Sequence, residues 1–167
     1  MVSGLEKRKR LKSGIMFMVV ALIILCLDQV SKNWVLHNLH QYQRYPVIPS
    51  FFNLTLLTNT GAAFGLMAGQ ERWRHLFFQV VSVMALCGLF YLYITARDKT
   101  RWLFWGCSFV FGGACGNLID RMRFGHVIDF LDFYLGTYHW PAFNVADSAI
   151  TIGGCFLALH FLNLGGK

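Results

Sequence analysis

Four stretches of the chain carry no Asp, Glu, Lys or Arg: Gly14–Leu27, His75–Ala96, Trp102–Ile119 and Ser148–Leu164, of 14, 22, 18 and 17 residues. About 20 apolar helical residues are needed to cross the hydrocarbon of a bilayer. The second and third stretches reach that length unaided. The first and fourth do so only by continuing through Asp28 and back through Asp147. The pattern therefore predicts helices over about 13–32, 75–96, 102–121 and 144–164, three of them with a carboxylate near one end of the span. Between the first two lies PVIPSFFNLTLLTNTG, rich in β-branched and aromatic residues and punctuated by Pro46, Pro49 and Gly61. It predicts one or two short strands, although the alternation has no clean polarity. A stub helix is expected near Ala62–Ala68.

Composition agrees with a mainly α membrane protein. Hydrophobic residues make up 56% and charged residues 14%, against about 25% charged in soluble domains. A single integral-membrane domain over 1–167 is expected. The net charge of +7 would suggest a nucleic-acid partner until it is located. Eight of the fifteen basic residues fall in the N-terminal tail and in Arg97–Arg101, and Lys167 makes nine. Counting positive charge to the inside puts both termini in the cytoplasm, so the first and third helices run outward. The first apolar run has the basic start of a signal peptide. No small-x-small cleavage site follows, and it reads as a retained helix.

The cysteines (Cys26, Cys87, Cys107, Cys115, Cys155) all lie in apolar spans without C-x-x-C, and read as inert core residues. The histidines show no zinc-protease spacing, so neither metal nor cofactor is indicated.

The acids carry the chemistry. On the expected topology Asp28 and Asp120 close outward-running helices, Asp147 opens an inward-running one, and Asp129 sits in the loop between the last two. All four meet near the outer face. An ionised Asp in mid-bilayer costs about 2.5–3.5 kcal/mol on insertion scales, so such residues face a polar interior and mark function. Asn144 and Asp147, three apart at a helix start, form a capping pair, which would also help keep this carboxylate ionised. Asp120, at a helix C-terminus, opposes the helix dipole and calls for a cation, with Arg121 or Arg123 the nearest. Asn117 is a buried amide suited to bridging helices. Gly112 and Gly116 make a G-x-x-x-G packing surface. Asp129, wedged in VIDFLDF, is expected to have a raised pKa and to return toward Asp147, so that the two share a proton. Asp132 reads as a solvated loop acid. Asp28 either supports the site or pairs with Lys32 at i+4. Asn59 is either a turn residue before Gly61 or an amide that orients substrate. No G-x-S-x-G is present, and no Ser lies beside a His or Lys base.

DQVSK (Asp28–Lys32), NTGAAFG (Asn59–Gly65), GGACGNLIDR (Gly112–Arg121), GHVIDFLDF (Gly125–Phe133) and PAFNVADSAITIGG (Pro141–Gly154) together resemble the bacterial lipoprotein signal peptidases, signal peptidase II. The five blocks occur in family order over almost the whole chain. The resemblance implies a metal-free aspartyl endopeptidase of the bacterial inner membrane. Four transmembrane helices, a small extracytoplasmic β-cradle and a short extracytoplasmic helix are expected, the last two drawn from Lys32–Arg74. The implied substrate is a prolipoprotein with diacylglycerol on the cysteine after the cleavage site, and the implied inhibitor is the cyclic peptide globomycin. By match, Asp129 and Asp147 would be the catalytic dyad, surrounded by Asp28, Asn59, Asn117, Asp120, Arg121 and Asn144.

Two other classes compete. In a proton- or ion-coupled transporter, intramembrane carboxylates relay cations. Acids at one face give no relay, however, and no repeat halves appear. In a purely structural protein the acids would only pair with Arg121, Arg123 and Lys32.

Overall fold

The computed structural model describes residues 4–61, 71–96 and 100–162. The chain runs α1 (Gly4–Asn38), β1 (Arg44–Ile48), β2 (Phe52–Asn59), α2 (Glu71–Thr95), α3 (Arg101–Phe124), β3 (Val127–Leu135), β4 (Tyr138–His139) and α4 (Val145–Phe161). Leu11–Asn38, Leu76–Thr95 and Arg101–Phe124 are long and apolar enough to cross a membrane, and α4 is a shorter apolar helix of 17 residues. The expected stub helix near Ala62–Ala68 falls outside the described residues.

Helix α1 is longer than expected. Its buried positions Phe17, Ala21, Ile24, Asp28, Lys32 and Val35 recur every three or four residues, which keeps one stripe toward the bundle. Leu22, Leu27 and Val30 on the rest of its surface are exposed, as lipid-facing residues would be. Past Lys32 the helix continues because Val35 packs against Leu56, Ile128 and Phe130 of the sheet.

Helix α3 is the central element, and its glycines set the approach distances. A Cβ on Gly112 would stand 2.6 Å from the Ala21 carbonyl oxygen of α1. One on Gly113 would stand 2.5 Å from the Ala146 carbonyl oxygen of α4. Gly116 faces the Asp28 carboxylate. The G-x-x-x-G pair thus holds α1 close, and the intervening Gly113 does the same for α4. Gly125 (φ 77°) ends α3 in the left-handed conformation, its N–H donating to the Arg121 carbonyl, and turns the chain into β3.

The sheet is antiparallel in the order β1-β2-β3-β4. Two expectations are corrected here. The cradle is not drawn from the first outer segment alone, since half its strands follow α3. Asp129 is not in a loop but within β3, where backbone pairing on one side and Phe143 on the other fix its position.

Strand β2 carries an irregularity that explains its unclear polarity. Leu54 pairs with Leu131 and Leu57 with Asp129, so β2 spends one more residue than β3 over the interval. Side chains alternate between faces, and one extra residue reverses the parity. Asn53 and Asn59, six apart, therefore meet Asp132 and Asp129, three apart.

Asp132 is the second acid whose surroundings differ from expectation. It is buried, not solvated. Asn53 Nδ2 donates to it at 2.9 Å, His139 Nδ1 lies at 2.7 Å and Arg44 Nε at 3.6 Å, so one carboxylate gathers side chains from the other three strands. Burial pushes its pKa up, but Asn53, His139 and Arg44 outweigh it and hold the carboxyl below the ordinary carboxylate range. A depressed folded-state pKa contributes stability that is full above the unfolded value and is lost as pH falls through the folded one. Asp132→Ala is expected to cost about 1–3 kcal/mol, the penalty for leaving buried partners unpaired. It should also flatten the acid limb of a thermal-stability profile measured in detergent.

Candidate active site

Helix α4 begins under unusual constraint. Phe143 accepts hydrogen bonds from the N–H groups of Phe130 and Leu131, at 3.0 and 2.9 Å, and its own N–H donates to the Leu131 carbonyl. The start of α4 is thereby laid against β3. Asn144 Oδ1 accepts from Asp147 N at 2.9 Å, and Asp147 Oδ2 accepts from Asn144 N at 3.3 Å, a reciprocal capping box. Asp28 of α1 supplies a second cap, its Oδ1 accepting from Ala146 N at 2.9 Å.

The same Asn144 reaches the other acid. Its Nδ2 donates to Asp129 Oδ1 at 2.7 Å, and Asn59 Nδ2 donates to Asp129 Oδ2 at 2.9 Å. Asn59 Oδ1 also accepts from Gly61 N at 2.8 Å, so Asn59 makes its turn and reaches an acid at once. Asp147 Oδ1 accepts from Asn117 Nδ2 at 2.8 Å. One residue, Asn144, therefore holds both carboxylates, by its backbone and by its side chain.

The two environments differ. Asp129 is 3% exposed, and burial, with the charge of Asp147 adding to it, pushes its pKa up to about 6 against the pull of Asn59, Asn144 and Lys32. Asp147 is half-buried and sits in the first turn of a helix, where the dipole favours negative charge.

Beneath them lies a buried ionic cluster. Lys32 Nζ is 2.9 Å from Asp28 Oδ2 and 2.8 Å from Asp120 Oδ2, and it donates to Asn117 Oδ1 at 3.0 Å. Gln29 Nε2 donates to Asp120 Oδ1 and to Asp28 Oδ2, and Ile128 N to Asp120 Oδ2. The cation for Asp120 is thus Lys32, not Arg121 or Arg123. Successive side chains on a helix diverge by about 100°, so an acid facing α1 cannot share its direction with the next residue. Arg121 is half-buried instead with its guanidinium 5.5 Å over the Phe78 ring of α2. Asp28 pairs with Lys32, as its i+4 spacing suggests, and also caps α4.

Sequence reasoning passed over Gln29 and gave Lys32 only an ion-pair role. Lys32 lies one helical turn from Asp28 in DQVSK, whereas Gln29, about 100° round the helix, carried no such signal and reaches both acids by the length of its side chain. Among the described residues no group of His, Cys, Asp or Glu is arranged to hold a metal ion. The thiols are free, and only Cys107 is fully buried; Cys26, Cys87 and Cys155 are exposed on apolar helices rather than in the core.

A family model described as signal peptidase (SPase) II matches residues 20–163. The chain belongs to the signal peptidase II family. A lipoprotein signal peptidase of Desulforapulum autotrophicum is 50% identical over 145 residues, covering 86% of this chain and 90% of the relative. One of Syntrophus aciditrophicus is 44% identical over 152 residues, covering 90% and 94%. A solved structure described as a bacterial membrane enzyme superposes with a TM-score of 0.79 at 33% identity, over 88% of this chain and 92% of that one. Family and apolar helices together make this signal peptidase II a bacterial membrane protease of lipoprotein processing.

Proposed function

We propose that the protein is an intramembrane aspartyl endopeptidase that cuts a diacylglyceryl-modified prolipoprotein immediately before its lipidated cysteine. The observation that carries this reading is the pair Asp129 and Asp147, tied through Asn144 yet placed in unlike surroundings. Paired carboxyls held in different protonation states are what acid–base hydrolysis needs. Asp147, ionised at its helix start, takes a proton from water as the water oxygen attacks the scissile carbonyl carbon. Asp129 gives its proton to the carbonyl oxygen, forming a neutral gem-diol. Collapse breaks the C–N bond: the proton on Asp147 passes to the leaving amine, and a gem-diol proton returns to Asp129. Asn59, Asn117 and Asn144 hold the two acids, Asp28 and Asp120 support them, and the charge of Arg121 acts on both at longer range.

In this reading residues 1–167 form one peptidase domain. Helix α4 is a fourth span, and both termini are cytoplasmic. The dyad lies near the outer leaflet, where lipid would hold the substrate's acyl chains. Globomycin would bind as a peptide that occupies the dyad.

The test uses purified protein in detergent with a synthetic prolipoprotein peptide, lipidated or not, and mass spectrometry of the products. The expected products are a signal peptide ending before the cysteine and a lipidated peptide beginning with it, formed far faster from the lipidated substrate and unaffected by EDTA. The alkaline limb of kcat/KM is expected close to about 6, where Asp129 gives up its proton. Cleavage elsewhere, or a rate lost to EDTA and restored by zinc, would overturn the reading.

A further inference from the structure

The mechanism leaves one buried charged group without a task. Lys32 is 2% exposed, among the least accessible side chains of the molecule, and sits between α1, α3 and the start of α4. A structural role would be met by its pairs with Asp28 and Asp120 alone. Its third contact, to Asn117 Oδ1, neutralises no charge.

That contact decides how Asn117 faces. A lysine ammonium has donors only, and an ionised carboxylate has acceptors only. An amide lying between them satisfies both in one orientation, with Oδ1 on Lys32 and Nδ2 on Asp147. Asn144 Nδ2, 3.3 Å from Asn117 Oδ1, demands the same orientation. The ammonium also polarises the amide, which strengthens the N–H that Asp147 receives at 2.8 Å. The other charged groups near this line are Asp28 of α1, Asp120 and Arg121 of α3 and Asp129 of β3. The two nearest acids are already bound to Lys32 itself.

We infer that Lys32 is a positioning residue of the reaction, acting through Asn117 to keep Asp147 the base of the dyad. This rests on the dyad reading above. Without Lys32 the Asn117 amide is held in that orientation only by the 3.3 Å contact from Asn144 and by Asp147 itself, and Asp147 loses a polarised donor to its ionised form.

The experiment is the pH dependence of kcat on the lipidated peptide for Lys32→Met, Lys32→Arg, Asn117→Leu and the Lys32→Met/Asn117→Leu double variant. Lys32→Met is expected to lower kcat about a hundredfold, the usual cost of losing one preorganised donor, with KM little changed. Its acidic limb should move to higher pH by about one unit. Asn117→Leu should do the same. The double variant should be no worse than Asn117→Leu, because Lys32 acts through that amide. Lys32→Arg, which keeps the charge, should recover part of the rate and the limb.

A buried pair broken on one side can unfold a protein. If Lys32→Met does not fold, the triple variant Asp28→Asn/Lys32→Met/Asp120→Asn carries no uncompensated charge and takes its place in the cycle. An acidic limb that stays put, or losses that multiply in the double variant, would overturn the inference. The dyad reading fails separately, by turnover surviving in Asp129→Asn or Asp147→Asn, neither of which touches Lys32.

Discussion

Asp129→Asn and Asp147→Asn are each expected to lower cleavage of a lipidated substrate by at least ~10³-fold, the scale seen when one member of a concerted catalytic pair is removed. The substitution keeps shape and removes the capacity to exchange a proton at working pH, so it separates chemistry from folding. Asp129→Asn removes a carboxyl that burial already penalises. Asp147→Asn weakens one arm of the capping box but leaves Asn144 Oδ1 on the residue 147 N–H. Thermal midpoints in detergent should therefore stay within about 2–4 °C of the parent, equivalent to roughly 1 kcal/mol for a chain of this size. The double variant should be no slower than either single one, since the two groups act as a unit. A single variant with substantial turnover would remove the pair from the mechanism.

The second large effect is expected at a residue that has no titratable group of its own. Gly113→Val would place a Cβ 2.5 Å from the Ala146 carbonyl oxygen and 3.0 Å from Ile150 Cγ1. Neither atom can step aside cheaply, because the first is helix backbone and the second is packed behind it. Helix α4 must then move away from α3. Overpacking of this kind costs about 1–3 kcal/mol, but activity should fall further than stability. Asn117 rides on α3 and Asp147 on α4, and their 2.8 Å hydrogen bond spans the widened seam. Gly154→Ala, where an added Cβ meets nothing within 4 Å, should leave both thermal stability and cleavage unchanged. Equal behaviour of the two glycine variants would show that α3–α4 contact does not position the site.

How much of the site was legible depends on how far apart in the chain its partners lie. The Asn144–Asp147 capping box was readable because a helix start brings residues three apart together. The Asp28–Lys32 pair was readable for the same reason at four apart. The packing role of Gly112 and Gly116 also follows from helical spacing. Asp120 was given the wrong cation because proximity in sequence stood in for direction in space: Arg121 is adjacent but points to α2, while Lys32 lies on another helix. Asp132 was read as solvated because its burial depends on Asn53, 79 residues away. The parity change in β2 shows in the sequence only as blurred alternation, and its meaning appears once β3 is set beside it.

The chain's own residues determined that it belongs in a membrane, where its apolar helices run, and that its few acids would need a polar interior. These are properties of transfer from water to hydrocarbon and of local helix geometry, and they sum along the sequence without reference to partners. Which acid meets which amide, that Lys32 joins three side chains beneath the site, and that one asparagine holds both Asp129 and Asp147 were decided by tertiary structure alone. A hydrogen bond is made within about 3 Å and along one direction, and only the packing of α1, α3, β3 and the start of α4 brings those groups within that reach.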